Sequence, residues 1–321
     1  MGTAVHVPQT RDMVGEELSA DEAWAALRRY GGRKLLVDAF LRFRYADGFS
    51  HSRALAFQVA LAMVPFTIAL VGVATTLHTE SVGRVVELTL TRVAPGASSG
   101  LIEDALAKGR RSADTDAAGA VAMWVGLGFA VVSMVSAMAQ IERGTNRIYG
   151  IERDRPFGHK YGRSLLLSVA AGAPMAIGFL VLVAGDTVAE AVVESFGTSS
   201  GLPGWWHWVQ IPIGVAMAWI ASAVIFRWAP RRTQPGYTWL AFGSAAHLAL
   251  WIAATWLLAF YVERSGSFGA VYGPLTAFVA MLLWANLTGI ALLLGVAFAA
   301  QLEAARAGIT DPVHPDPGPG S

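Results

Sequence analysis

The sequence contains no cysteine, which excludes disulfides, thiolate metal sites, iron–sulfur ligation and a cysteine nucleophile. Charge is also scarce. Only 15% of the residues are Asp, Glu, Lys or Arg, whereas a soluble domain carries about 25%. The formal net charge is +1, so there is no basic excess to recruit nucleic acid and no acidic excess to mimic it. What the chain does have is apolar residues, 54% of the total, and that imbalance calls for a non-aqueous solvent. Residues 1–53 are polar and arginine-rich, and the first apolar run is longer than the roughly 7 to 15 residues of a signal-peptide core, so no cleaved signal is expected.

A spanning helix needs about 20 mostly apolar residues, because the hydrocarbon layer is about 30 Å thick and each residue rises about 1.5 Å. Six windows qualify, at about 54–77, 117–141, 165–185, 205–226, 237–262 and 270–300, and none contains a charged side chain. The expected fold is therefore an all-α integral membrane protein with six transmembrane helices. A cytoplasmic segment (1–53) precedes the membrane domain (54–305), and a proline-rich, disordered tail (306–321) follows it.

The basic residues alternate between loops. Arg28, Arg29, Arg33, Lys34, Arg42, Arg44 and Arg53 precede the first window. Arg143, Arg147, Arg153, Arg155, Lys160 and Arg163 follow the second, and Arg227, Arg231 and Arg232 follow the fourth. The third-to-fourth connection has no Lys or Arg, and the fifth-to-sixth has only Arg264. By the positive-inside rule both termini are cytoplasmic. Clustered tryptophans at span ends, among them Trp205, Trp206, Trp208 and Trp228, suit an aromatic belt.

Two segments outside the spans look helical. Leu36, Phe40 and Phe43 fall at i, i+4 and i+7 beside Arg33, Lys34, Arg42 and Arg44. That pattern predicts an interfacial helix with its cations toward lipid headgroups; a partner-binding helix is the alternative. In the outward loop, Val82, Val86, Leu90 and Val93 form a stripe that Pro95 and Gly96 end, and Ser99 can cap a turn through Leu106, which predicts a small cap over 78–116.

Polar groups within a span are costly and often functional. Gln58, Gln140, Gln210, His247 and Asn286 are the candidates for a polar path. The plainer account of each is an interhelical hydrogen bond worth about 0.6 to 2 kcal/mol. His247 stands apart because a mid-span imidazole can titrate near neutral pH, though packing is the favoured role for it too. Pro65, Pro174 and Pro212 predict kinks, and passive kinks are commoner than broken helices that bind ligand. Asp186, Glu190 and Glu194 recur every four residues, the mark of a solvated helix face.

Four stretches, in order, resemble the YihY/BrkB family, once labelled ribonuclease BN-like, over roughly Ala46 to Ala305. They are Ala54 to Pro65, Asn146-Arg147-Ile148-Tyr149-Gly150, Phe226-Arg227-Trp228-Ala229-Pro230-Arg231-Arg232, and Gly266-Ser267-Phe268-Gly269-Ala270 followed by Leu283-Trp284 and Gly295. The chain departs from the family pattern at Ala62, where a serine is usual, and at Ala297 and Ala299, where the family ending has Glu and Asn. A mechanism that needs that carboxylate does not carry over. The resemblance implies a bacterial multi-pass protein of the cytoplasmic membrane, with transport as the expected activity and no catalytic residues.

A nuclease would need clustered histidines and carboxylates or an acid–base pair near a basic track. His6, His51, His78, His159, His207, His247 and His314 are scattered, without H-x-H or H-x-x-x-H spacing. The expectation is a non-enzyme without cofactor or metal, a transporter or lipid-handling protein that meets membrane lipids and a small solute or lipid substrate but no nucleic acid. A homo-oligomer is compatible with this, and a membrane scaffold or assembly factor is the alternative. Pro65, Asn146, Arg147, Arg227 and Pro230 are the motif residues, with Asn146, Arg147, Arg227 and Pro230 expected to fix helix ends and headgroups.

Overall fold

The computed structural model describes residues 5–10, 18–76, 116–195, 205–264, 275–309 and 311–315. The cap expected over 78–116, including Val82 to Val93 and Ser99 to Leu106, lies almost wholly outside them, as does the Gly266 to Ala270 motif. Eight helices are present among the described residues: α1 (Ala20–Tyr30), α2 (Gly32–Tyr45), α3 (Gly48–Thr76), α4 (Asp116–Ile148), α5 (Phe157–Ser195), α6 (Trp206–Trp228), α7 (Tyr237–Arg264) and α8 (Thr276–Arg306). Among the described residues four stretches are long and apolar enough to cross a membrane: Trp124–Ile148 in α4, Trp208–Trp228 in α6, Tyr237–Val262 in α7 and Phe278–Arg306 in α8. The chain is an all-helical membrane protein.

Local chemistry sets the element boundaries. At the start of α1 the Ser19 hydroxyl accepts from the Glu22 backbone N–H at 3.3 Å. The Glu22 carboxylate accepts in turn from the Ser19 N–H at 3.2 Å, so two orphan donors are satisfied reciprocally. Gly31, at φ 91°, ends the helix and donates its N–H to the Leu27 carbonyl. Helix α4 continues past its apolar window because nothing in Glu142 to Ile148 breaks it, and the chain turns only at Gly150. That residue has φ 74°, and a Cβ there would come within 2.6 Å of the Gln9 backbone, so only glycine suits both the turn and the contact. Helix α5 carries Pro174 within it and α6 carries Pro212. Pro65 lies in the backbone of α3, and Asp186, Glu190 and Glu194 in the last turns of α5.

Packing is concentrated at one end. The buried core joins Leu35, Ala39 and Phe43 of α2, Ile148 and Tyr149 at the end of α4, Phe226 of α6, Trp239 and Leu240 of α7, and Val296 to Leu302 of α8. Farther along the helices, large apolar side chains such as Trp124, Phe129, Val132, Ile211, Ile252 and Trp256 face outward. Exposure of this kind costs nothing in hydrocarbon and is unfavourable in water. The helix ends are fixed by packing on one another, and the shafts are left to the lipid.

The first and last described segments of the chain both lie at the packed end. Val5–His6 (β1) pairs antiparallel with His314–Pro315 (β2), Val5 opposite Pro315 and His6 opposite His314. The segment after Ala307, expected as a disordered tail, thus carries a paired strand within its described residues. Its prolines read as disorder in isolation, but Pro315 supplies only a carbonyl-side partner at an edge, where proline is tolerated.

Candidate functional site at the packed end and along the helix interior

The packed end holds a layer of buried charge built from segments far apart in sequence. Arg155, in the connection between α4 and α5, donates to the Glu142 carboxylate at 2.7 Å and to the carbonyls of Ala229 and Pro230 at 3.1 and 3.0 Å. The other Glu142 oxygen accepts from the Ser164 hydroxyl at 2.9 Å. One carboxylate therefore ties α4, α5 and the α6–α7 connection together. A second pair lies beside it. Arg232 meets Glu303 of α8 at 2.7 Å, with each side chain only 3% exposed, and its guanidinium also donates to the Thr10 hydroxyl and stacks on the Tyr149 ring at 4.8 Å.

Arg42 of α2 is fully buried. It donates to the Ile148 carbonyl at 2.8 Å, the Pro8 carbonyl at 2.7 Å and the Gln301 side chain at 3.2 Å. Burial brings its pKa down to about 10, while Tyr149 and Glu303 pull the other way. Burial likewise pushes the Tyr149 phenol well above its ordinary range, with the Glu303 charge adding to the shift. The Tyr30 hydroxyl rises to about 12, from burial first and then from its hydrogen bond to Asp38. Burial raises the Asp154 carboxyl, but the hydrogen bond and charge of Lys160, with a bond from Arg143, outweigh it and hold the group below the usual carboxylate range.

The motif residues belong to this layer. The Asn146 side-chain carbonyl accepts the Arg231 backbone N–H at 2.7 Å, and the Pro230 carbonyl receives Arg155. Arg227 donates to the carbonyls of Gln234 and Pro235 just before α7 and lies 5.7 Å from the Tyr237 ring. Arg147 is exposed at the rim. Arg42, Glu142, Arg155, Arg232, Gln301 and Glu303 complete the layer; the sequence reading named the three arginines only for topology, a family stretch or headgroup contact, and did not single out Glu142, Gln301 or Glu303. The available signal was the pair of carboxylates, Glu142 and Glu303, placed directly after long charge-free windows.

The residues proposed for a polar path divide into three places. Gln140 of α4 lies 2.8 Å from the His51 ring of α3. Gln58 follows His51 and Leu55 on the same face of α3. Ser52 and Leu55 abut Gly289 of α8, and Asn286 lies one turn from that glycine, so Gln58 and Asn286 continue facing stripes. The Asn286 Oδ1 is buried and has no hydrogen-bond partner. His247 is elsewhere. Its Cβ sits where a Cβ on Gly295 would come within 2.6 Å, its ring is 6.4 Å from Phe226, and its Nδ1 is buried without a partner. Gly295 is nine residues from Asn286, half a turn out of phase at about 100° per residue, so His247 and Asn286 occupy opposite sides of α8. Gln210 is buried in α6 against Gly185 of α5.

The stretches that resembled a family fall within one continuous match: the family model described as Virulence factor BrkB aligns with residues 39–317. The chain belongs to the virulence factor BrkB family. This bears out the expectation drawn from the Asn146 and Arg227 motifs. Among its relatives is the putative ribonuclease-like protein YfkH of Bacillus subtilis (strain 168), 24% identical over 268 residues, covering 81% of this chain and 92% of the relative. Another is the UPF0761 membrane protein of Laribacter hongkongensis (strain HLHK9), 25% identical over 252 residues, covering 78% of this chain and 56% of that longer relative. No solved structure matches the chain.

Proposed function

We propose that this BrkB family protein crosses the cytoplasmic membrane six times, with both termini cytoplasmic, and moves a small solute or a polar-headed lipid along the α3–α4–α8 interior. The charge-free stretches of α3 and α5 support six crossings. Pairing of β1 with β2 supports an even number, because both chain ends then lie on one side.

The observation that carries the transport reading is the row formed by His51 and Gln140, Gln58 and Asn286, which ends in a buried amide oxygen without a partner. An amide in this position is costly unless something satisfies it, and a passing hydroxyl, ammonium or water would do so. The interior row lacks a carboxylate, since the family's Glu position is Ala297 here, which favours an uncoupled lipid or neutral solute over proton-driven exchange. We read the protein as non-catalytic. Among the described residues no group of three or more His, Asp or Glu could hold a metal ion, and the ribonuclease-like label of one relative is a property of that relative's name.

A scaffold role is the second reading, favoured by the charge layer that locks the cytoplasmic ends together. The test is flux of labelled solutes and scrambling of headgroup-labelled lipids in proteoliposomes. Transport predicts protein-dependent flux that falls about tenfold in Asn286→Leu, the effect of about 1.4 kcal/mol on a barrier. Absence of flux across the panel turns the assignment to a scaffold.

A further inference from the structure

Helix α2 has two faces of opposite character. Its inner face, Leu35, Asp38, Ala39, Arg42 and Phe43, is buried. Its outer face carries Arg33, Leu36, Val37, Phe40 and Arg44, with Lys34 at the edge, all exposed. This division corrects the expectation that Arg42 and Phe43 face lipid: Arg42 is drawn inward by three oxygen acceptors, and Phe43 by the Phe49 ring at 4.8 Å. What remains outside is apolar and cationic throughout. The one carboxylate of α2, Asp38, is turned inward and accepts from the Tyr30 hydroxyl at 2.7 Å.

The height of this face is set by the same contacts. Phe43 and Phe49 join α2 to the first turn of α3, and Phe40 lies 6.2 Å from Phe49, so the helix is held beside the start of α3, which crosses the membrane on the six-span reading proposed above. Exposed Leu36 and Val37, at 58% and 52%, are then within reach of the acyl boundary, and Arg33, Lys34 and Arg44 are at headgroup level. We propose that the outer face of α2 binds the surface of an anionic bilayer, with Leu36, Val37 and Phe40 inserted and Arg33, Lys34 and Arg44 on lipid phosphates. The occupant follows from charge: an apolar strip flanked by cations and free of exposed carboxylate complements an anionic lipid surface.

The absence of native cysteine makes the test direct. Val37→Cys in the full chain, labelled with an environment-sensitive fluorophore, is placed in single-copy nanodiscs of phosphatidylcholine alone or of a phosphatidylglycerol-rich mixture. The expected result is quenching by headgroup-proximal nitroxide lipid that is stronger in the anionic discs, with the preference falling about fivefold for each cation removed in Arg33→Gln and Arg44→Gln. Leu36→Cys serves as a second reporter of the same face. Equal lipid quenching in both disc types overturns the anionic preference. Quenching by aqueous iodide in both overturns the proposal entirely, and shielding that appears only in two-copy discs assigns the face to a second chain instead.

Discussion

The packed end and the helix interior bury polar groups on different terms. At the end, Glu142 and Glu303 each face an arginine at 2.7 Å; Arg155 also reaches the carbonyls of Ala229 and Pro230, and Arg232 the Thr10 hydroxyl. Midway along the bundle, Asn286, Ser244 and His247 each bury a polar atom with no hydrogen-bond partner. The first arrangement is closed in charge, since each buried carboxylate has its cation from the chain itself. In the second the unpartnered atoms belong to an amide, a hydroxyl and an imidazole. A buried charge with its counter-charge in place contributes to architecture, and an uncharged polar group without a partner is available to a transient one, so function is better sought in the sparse region than in the dense one.

The largest effect should come from opening the closed region. Glu303→Ala leaves Arg232 buried without its carboxylate, and Glu142→Ala does the same to Arg155; each is expected to cost about 3 to 5 kcal/mol, read as a lower Tm of the purified protein and less inserted protein. Glu303→Asp, which retains the charge, should recover part of the loss. Next in size is the α7–α8 crossing. A Cβ on Gly295 would lie 2.6 Å from that of His247 and 2.9 Å from the Gly243 carbonyl, so Gly295→Val is expected to cost about 1 to 3 kcal/mol by overpacking, measured by thermal unfolding.

Asn286→Leu sharpens the contrast from the other side. Removing an unsatisfied buried amide should leave stability within about 1 kcal/mol of the parent or raise it, while flux falls. A large loss of Tm with this change would show that Asn286 is part of the closed architecture after all. The smallest effect is at Asp154, partly exposed between Lys160 and Arg143. Because its folded pKa lies below the usual value, its contribution is present above the ordinary carboxylate range and is lost as pH falls through the lowered value. Asp154→Asn should cost less than about 1 kcal/mol at neutral pH and flatten the acid limb of a Tm-versus-pH profile.

The charge-free windows made the membrane helices legible, because exclusion of charge over about 20 residues is a direct consequence of the solvent. The same reading misassigned Arg42 and left the partners of the other arginines unseen. Arg42, Arg155 and Arg232 were counted as votes for topology, and Arg42 also as a headgroup ligand, yet the structure turns their side chains inward on carbonyls and carboxylates. Positive-inside statistics describe which side a cation occupies and are silent about its neighbours, which come from segments as distant as Pro8, Ile148 and Gln301. The motif residues Asn146 and Arg227 were visible as a pattern, but their work of holding the Arg231 amide and the Gln234 and Pro235 carbonyls depends on tertiary geometry. His247 and Asn286 look equivalent in a list of mid-span polar groups. Only the phase of α8 separates them.

The ribbon formed by Val5–His6 and His314–Pro315 has a consequence for biogenesis. Its two strands flank all eight described helices in the sequence, so Val5–His6 is synthesised before those helices and its partner only after them. The Pro8 carbonyl and Thr10, which complete the shells of Arg42 and Arg232, lie a few residues from that strand. Residues made before the helices are thus placed only after them, and the ribbon can close only once the last described helix has been made.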